Sequence, residues 1–170
     1  MHMKKAGFSL AMWLTLVGPC FGDNPMEPGE DTAAVEQATT AFYTSLNALF
    51  AGDNGPMQQV WSHADDVTYM GPAGGYHIGW NDVNENWESQ AALKLGGKVE
   101  PADVHVTIGN ELAFVQCYEH GNNLGAEGEV EPVSIRATSI FRKENGQWKM
   151  IGHHTDLLPY LEEPIVTTGQ

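Results

Sequence analysis

Basic residues are scarce in this sequence. Its 170 residues contain 8 Lys and Arg against 22 Asp and Glu, so the formal net charge is −14. Proteins that bind nucleic acid neutralise its phosphates with Lys and Arg. We therefore expect no nucleic-acid partner.

Cysteine is also rare, with Cys20 and Cys117 the two in the sequence. This excludes a disulfide scaffold and a cysteine-based zinc site. The sequence also lacks a G-x-S-x-G nucleophile motif and a glycine-rich dinucleotide fingerprint. We expect no organic cofactor and no metal site. The apolar content of 42% excludes a disordered chain, and the length fits one domain.

No apolar run reaches the ~20 residues of a membrane-spanning helix. The run from Ala6 to Val17 follows Lys4 and Lys5 and precedes the small, turn-prone residues Gly18–Gly22. This three-part layout is typical of a secretory signal peptide. We expect cleavage near Gly22 and export to the periplasm or the medium, without a stable membrane anchor.

Cys20 leaves a lipid anchor open as an alternative, although the preceding Pro19 fits a lipoprotein signal badly. The predicted organisation is a signal peptide over 1–22, a polar leader over 23–30, one domain over 31–158 and a flexible tail over 159–170.

Apolar residues at steps of three and four predict helices in the first part of the domain. One long helix starts at Asp31 and ends before Gly52, a short one spans Pro56–Ser62, and a second long one spans about Asn81–Leu95. Alternating patterns and turn signals then predict strands. They are expected at Val67–Gly71, Tyr76–Gly79, Val104–Ile108, Leu112–His120, Val133–Lys143 and Trp148–Leu157. Helices segregated from an antiparallel sheet make the fold class α+β.

Three stretches carry a resemblance to a known family. They are WSHADDVTYMGPAGGYHIGW (Trp61–Trp80), SIRATSIFRKENGQWKMIGHHTD (Ser134–Asp156) and the tryptophan-rich helix between them. Together they resemble the nuclear transport factor 2-like superfamily, in its SnoaL-like and ketosteroid isomerase-like branch. The resemblance implies a cone, in which a curved sheet wraps around N-terminal helices and encloses a pocket, and often a dimer. Members include cyclases, isomerases and non-catalytic association domains, so the fold alone gives no function.

One departure from these relatives concerns Gly152, which stands in the sequence IGHH where they often have a first histidine. This weakens any two-histidine mechanism.

The turn between the last two strands decides which residues face each other. A two-residue turn at Asn145–Gly146 would place Arg136 and His154 on opposite faces. A three-residue turn, Glu144–Gly146, would pair Arg136 with His154 and gather Arg136, Thr138, His154 and Asp156 on one face. We favour the three-residue form, because it puts Gly146 in the left-handed position.

This pairing predicts a catalytic cluster in the cone interior. Asp156 would act as a base or orient His154 for proton transfer, and Arg136 would hold an anion or a developing oxyanion. The alternative is a structural Arg–His–Asp cluster. Core packing alone would explain most of the aromatic set, but such side chains also often line ligand pockets, and this supplies the ligand-binding candidates. They are Trp61, Tyr69, Met70, Tyr76, Trp80, Trp87 and Thr138.

The sequence therefore predicts an exported domain that binds a small, partly apolar molecule and transfers a proton of the isomerase, cyclase or lyase type. The competing hypothesis is a non-catalytic ligand-binding or association module. Apolar residues on both sides of Val104–Ile108 and Leu112–Cys117 also predict a homodimer built on the sheet.

Overall fold

The computed structural model describes residues 28–125 and 127–157. These residues form three helices: α1 (Pro28–Phe50), α2 (Gly55–Val60) and α3 (Trp80–Leu93). They also form six strands: β1 (Thr68–Gly71), β2 (Gly74–Ile78), β3 (Lys98–Ile108), β4 (Leu112–Leu124), β5 (Val130–Glu144) and β6 (Gln147–Leu157). The predicted signal peptide, the tail over 159–170 and most of the polar leader lie outside the described residues.

The six strands form one curved, unclosed sheet in the order β2-β1-β6-β5-β4-β3. All neighbours are antiparallel except β1 and β6, which run parallel. The helices pack on one face of this sheet, and the buried core lies between them. The predicted α+β class is confirmed.

The helix α1 buries the apolar stripe that its sequence predicts. Val35, Phe42 and Leu49 have no solvent exposure, and all three belong to the core. The helix begins at Pro28, three residues before the predicted start at Asp31. Proline is compatible with the first helical turn, because an amide hydrogen there would have no intrahelical acceptor. The chain leaves the helix at Gly52, where φ is +100°.

The strands β3 and β4 are longer than predicted. β3 begins at Lys98 rather than Val104, and β4 continues past His120 to Leu124. Pro101 and Asp103 are poor strand residues, so the local pattern gave no signal. Pairing with β4 overrides this preference, with an irregularity in register between Ala102 and His105.

The β5–β6 hairpin has a two-residue turn, so the three-residue turn that the sequence favoured is wrong. Glu144 pairs with Gln147, and both turn residues, Asn145 and Gly146, have positive φ. This conformation matches the right-handed twist of the flanking strands. The register then shifts between the pairs Phe141–Met150 and Ile140–Gly152, which leaves Ile151 as one extra residue in β6.

Among the described residues, no helix combines the length and the apolar character needed to cross a bilayer.

Candidate functional site

The structure brings Arg136, Thr138, His154 and Asp156 to one face of the sheet, as the sequence predicted. The pairs differ from the predicted ones, because Arg136 pairs with Asp156 and Thr138 with His154. The predicted interior position is wrong, since Arg136, His154 and Asp156 are exposed to solvent. The helices cover the opposite face, where alternate residues of the same strands are buried.

The outer-face cluster is therefore a solvated group of side chains in a shallow groove. His154 Nε2 lies 3.2 Å from Asp156 Oδ2, and half or more of each side chain is exposed. Arg136, Tyr118 and Asp103 line the same groove. Water screens charges strongly at such positions, so these groups lack the dry surroundings that make a catalytic pair effective.

The predicted aromatic wall is divided between several environments. Tyr69 and Trp87 line an interior cavity, and their ring centroids lie 4.3 Å apart. Trp61 is buried in the core, where it packs against Trp87. Trp80 stacks on an exposed histidine, and Tyr76 is 59% exposed.

Met70 does not join the aromatic wall either. It pairs with His154 in the parallel β1–β6 ladder, which places it on the outer face, and it is half-buried. The cavity thus has two of the predicted ligand-binding residues.

The interior cavity has a volume of about 470 Å³ and lies between the helices and the concave face of the sheet. This volume falls within the range of small-molecule sites. Much of its wall is apolar, formed by side chains such as Leu46, Phe50, Trp87, Leu95, Val133 and Ile135. Polar groups enter the wall at a few points, which include Glu119, His153, Tyr69 and Gln90.

Glu119 and His153 form the most buried ionisable pair of the cavity, and each is 4% exposed. Glu119 Oε1 lies 3.4 Å from His153 Nε2. Tyr43 donates a hydrogen bond to the same oxygen at 3.0 Å. On the other side of the imidazole, Nδ1 lies 3.0 Å from Ser139 Oγ. Tyr43 thus fixes the carboxylate and Ser139 fixes the imidazole, as a proton-transfer pair requires.

Tyr43 keeps its proton beside this carboxylate. Burial, followed by the negative charge of Glu119, raises the pKa of the Tyr43 hydroxyl far above its usual range. The phenol therefore remains a hydrogen-bond donor to Glu119 at every physiological pH.

Tyr69 adds a second hydroxyl to the cavity wall. Its ring lies parallel to the His153 ring, with centroids 6.1 Å apart. Gln90 Nε2 donates to Tyr69 Oη at 3.3 Å, and Gln90 in turn donates to Asn86. Burial is the main reason that the pKa of Tyr69 rises to about 12. Because Oη accepts from Gln90, the phenolic proton is free to be donated to a bound molecule.

The sequence reasoning missed Glu119, His153 and Tyr43. A signal for Glu119 was present, because it continues the two-residue alternation of the buried residues Ala113, Val115 and Cys117. Burying a charged residue on an apolar face costs free energy unless the charge is paired and hydrogen-bonded, so such a residue is a candidate member of a polar site. No such signal identified His153, since the extra residue at Ile151 changes the phase of β6.

The described residues offer no obvious metal site, because no group of three His, Cys, Asp or Glu side chains gathers among them. Cys117 is buried next to Tyr43, whose Oη lies 3.1 Å from the sulfur. Burial raises the pKa of this thiol, which disfavours the reactive thiolate. Cys117 is thus a packing residue rather than a nucleophile.

Comparison with known families gives a match over most of the chain. Residues 35–158 match the model of the SnoaL-like domain. A curated relative, the F-box protein SKIP8 of Arabidopsis thaliana, is 24% identical over 137 residues. The match covers 79% of this chain and 54% of the relative, so the chain spans about half the length of the curated relative it matches.

Solved structures share the fold. A nuclear transport factor 2-like protein of Streptomyces avermitilis, provisionally assigned as a dehydratase, has a TM-score of 0.71 at 24% identity. The match covers 78% of this chain and 99% of that one. A protein of Thiobacillus denitrificans, provisionally assigned as a calcium/calmodulin-dependent protein kinase type II association domain, has a TM-score of 0.62 at 27% identity, covering 72% and 94%. The predicted cone architecture is confirmed.

Proposed function

The chain belongs to the SnoaL-like family, and from this premise we propose that its cone cavity binds a small, partly apolar molecule and transfers a proton there. Glu119 and His153 are the proposed acid–base pair. The observation that carries the proposal is a buried carboxylate and imidazole, 3.4 Å apart, on the wall of a cavity of about 470 Å³.

Burial strengthens the electrostatic coupling between Glu119 and His153. Inside a low-dielectric cavity, the energy of a proton on one partner depends strongly on the charge of the other. Tyr43 stabilises the carboxylate through a hydrogen bond, and Ser139 contacts the far side of the imidazole. The pair can therefore take a proton from a bound molecule and return it at another position, which is the step that isomerases, cyclases and lyases share.

Tyr69 supports the same reaction type. Its hydroxyl is uncharged at neutral pH and lies in the wall near His153. A buried neutral donor stabilises negative charge that develops on a carbonyl oxygen when a neighbouring C–H bond loses its proton.

The proposed activity is tested by deuterium exchange. The protein is incubated in D₂O with a panel of cyclic and aryl ketones, and loss of the proton next to the carbonyl is followed by NMR. We expect exchange with the wild type and its loss in Glu119→Gln and His153→Ala. The matched control is His154→Ala on the outer face, which should retain exchange.

Two outcomes would contradict the assignment. Loss of exchange in His154→Ala but not in His153→Ala would move the chemistry to the outer-face cluster of Arg136, His154 and Asp156. Ligand binding without exchange in the wild type would leave a non-catalytic binding module.

A second candidate function, an association module, has its own observation. Leu112 and Phe114 lie on the outer face of β4 and are 43% and 42% exposed. Exposed apolar side chains on one sheet face favour burial against a partner. We propose a homodimer that uses this face, which is compatible with ligand binding inside the cone.

Export is proposed on the N-terminal pattern alone, which lies outside the described residues. Lys4 and Lys5 precede a short apolar run, and that order favours a secretory signal peptide. N-terminal sequencing of protein recovered from the periplasm or the medium should start near Asp23. Intact Met1 on cytoplasmic protein would contradict this proposal.

A further inference from the structure

We infer that the ligand of the cone cavity is not an anion: it is an uncharged or cationic molecule, whose donor group is held by Glu119. The inference deepens the proposed function and rests on it. It concerns the charge of the ligand, which the fold by itself does not determine.

Basic side chains of the described residues lie outside the cavity wall. Arg142 is engaged by Asp66 and Glu144, Lys143 by Asp31, and Lys98 by Glu100. Lys149 donates to a backbone carbonyl. Arg136 lines the outer groove, and Lys94 lies beyond the end of α3. Among the described residues, only His153 brings a potential positive charge to the cavity wall.

The charge of the wall is negative instead. Glu119 and Glu131 both line the cavity, and Glu119 is almost fully buried. The contacts of Glu119 with Tyr43 and His153 engage Oε1, so its Oε2 has no partner among the described residues. A carboxylate or phosphate placed beside this oxygen would meet like charge in a low-dielectric site. A ligand N–H or O–H group would instead complete the hydrogen bonding of Glu119.

Near α3, the cavity wall offers a hydrogen-bond donor instead of an acceptor. Trp87 lines the cavity, but its Nε1 is inaccessible to solvent and therefore not available to a ligand there. Tyr69, next to it, has a phenolic proton to donate. A neutral oxygen of the ligand would accept this proton. The wall thus fits a molecule with an apolar body, one neutral acceptor and one donor or cationic group.

Three probes of nearly the same shape test this inference: benzamidinium, benzamide and benzoate, which differ in charge. Their affinities are measured by calorimetry on the full chain. We expect benzamidinium and benzamide to bind and benzoate to bind at least about tenfold more weakly than benzamide, a difference of about 1.4 kcal/mol.

Two variants test which carboxylate causes the difference in affinity between the probes. Glu119→Gln should reduce the preference for benzamidinium over benzamide and allow benzoate to bind comparably, because it removes the charge and keeps the shape. Asp156→Asn, which removes a carboxylate from the outer face, should leave all three affinities unchanged. Circular dichroism confirms that each variant is folded.

The outcomes separate the two proposals. If benzoate binds as tightly as benzamide or more tightly, the cavity takes anions; the charge inference is then wrong, and the proposed binding function stands. An Asp156→Asn effect as large as that of Glu119→Gln would overturn the role of Glu119. If none of the probes binds at millimolar concentration, the cavity is not a small-molecule site, and both proposals fail.

Discussion

Glu119 Oε1 and His153 Nε2 lie 3.4 Å apart, although the two residues belong to strands separated by β5. Curvature of the sheet makes this possible, because side chains on its concave face converge. The intervening strand contributes Ser139, which contacts the same imidazole. Three adjacent strands thus build a pair that no single hairpin could supply.

Tyr43→Phe should destabilise the protein, because it removes the O–H donor of Glu119 and leaves that buried carboxylate oxygen without it. A lost partner of a buried polar group costs about 1–3 kcal/mol in the free energy of unfolding. Denaturant titration measures the difference.

The control for Tyr43 is Tyr76→Phe, since Tyr76 is 59% exposed. This surface change should stay within about 0.5 kcal/mol of the wild type. Equal effects of the two variants would show that the Tyr43–Glu119 hydrogen bond makes no net contribution to the free energy of unfolding.

Asp31→Asn should lower the free energy of unfolding by an amount that depends on pH. Asp31 Oδ1 accepts from Lys143 Nζ at 2.7 Å and from Trp148 Nε1 at 3.2 Å. The hydrogen bond from Lys143 is the main cause that lowers the pKa of Asp31. A carboxyl with a lowered pKa in the folded state stabilises it above its unfolded pKa of about 3.9, and this contribution is lost as the pH falls through the folded pKa.

The expected difference between wild type and Asp31→Asn is therefore constant above about pH 5, at about 1 kcal/mol or less, and shrinks in more acid solution. Thermal or urea unfolding from pH 7 to pH 2 measures it. A difference that grows on acidification would contradict the assigned ion pair.

The two-residue turn makes a prediction at Asn145, where φ is +51°. Alanine is strained in that left-handed region by about 1–2 kcal/mol, whereas glycine is not. Asn145→Gly should therefore unfold at a higher denaturant concentration than Asn145→Ala. The reverse order would indicate the three-residue turn, in which position 145 has negative φ.

If the homodimer forms on the outer sheet face, a single charged side chain introduced there should prevent dimerisation. Light scattering of the wild type at micromolar concentration should give twice the mass of one chain, and Phe114→Lys should give one. Leu93→Lys, at an exposed apolar position on α3 rather than on the outer sheet face, should leave the dimer intact. A wild type that scatters as a single chain would contradict the proposal.

Much of the fold was predictable because the information is local. Apolar spacing located α1 and α3 within a few residues, and Asn145–Gly146 located the last hairpin. The parallel neighbour of β6 was not predictable, since β2, α3 and three further strands separate β1 from β6 in the sequence and no local pattern indicates their pairing. Nor was the extension of β3 through Pro101, which depends on its partner strand.

Strand periodicity and the position of the last hairpin follow from the sequence alone, whereas the tertiary structure decided that Arg136 and His154 share a face and which face this is. A two-residue turn alone would have separated them, and the extra residue at Ile151 restores the shared face. Strand periodicity identifies two faces, yet only packing decides which one the helices cover. Here the helices cover the face of Glu119 and His153, because it also carries the large apolar side chains whose burial stabilises the fold.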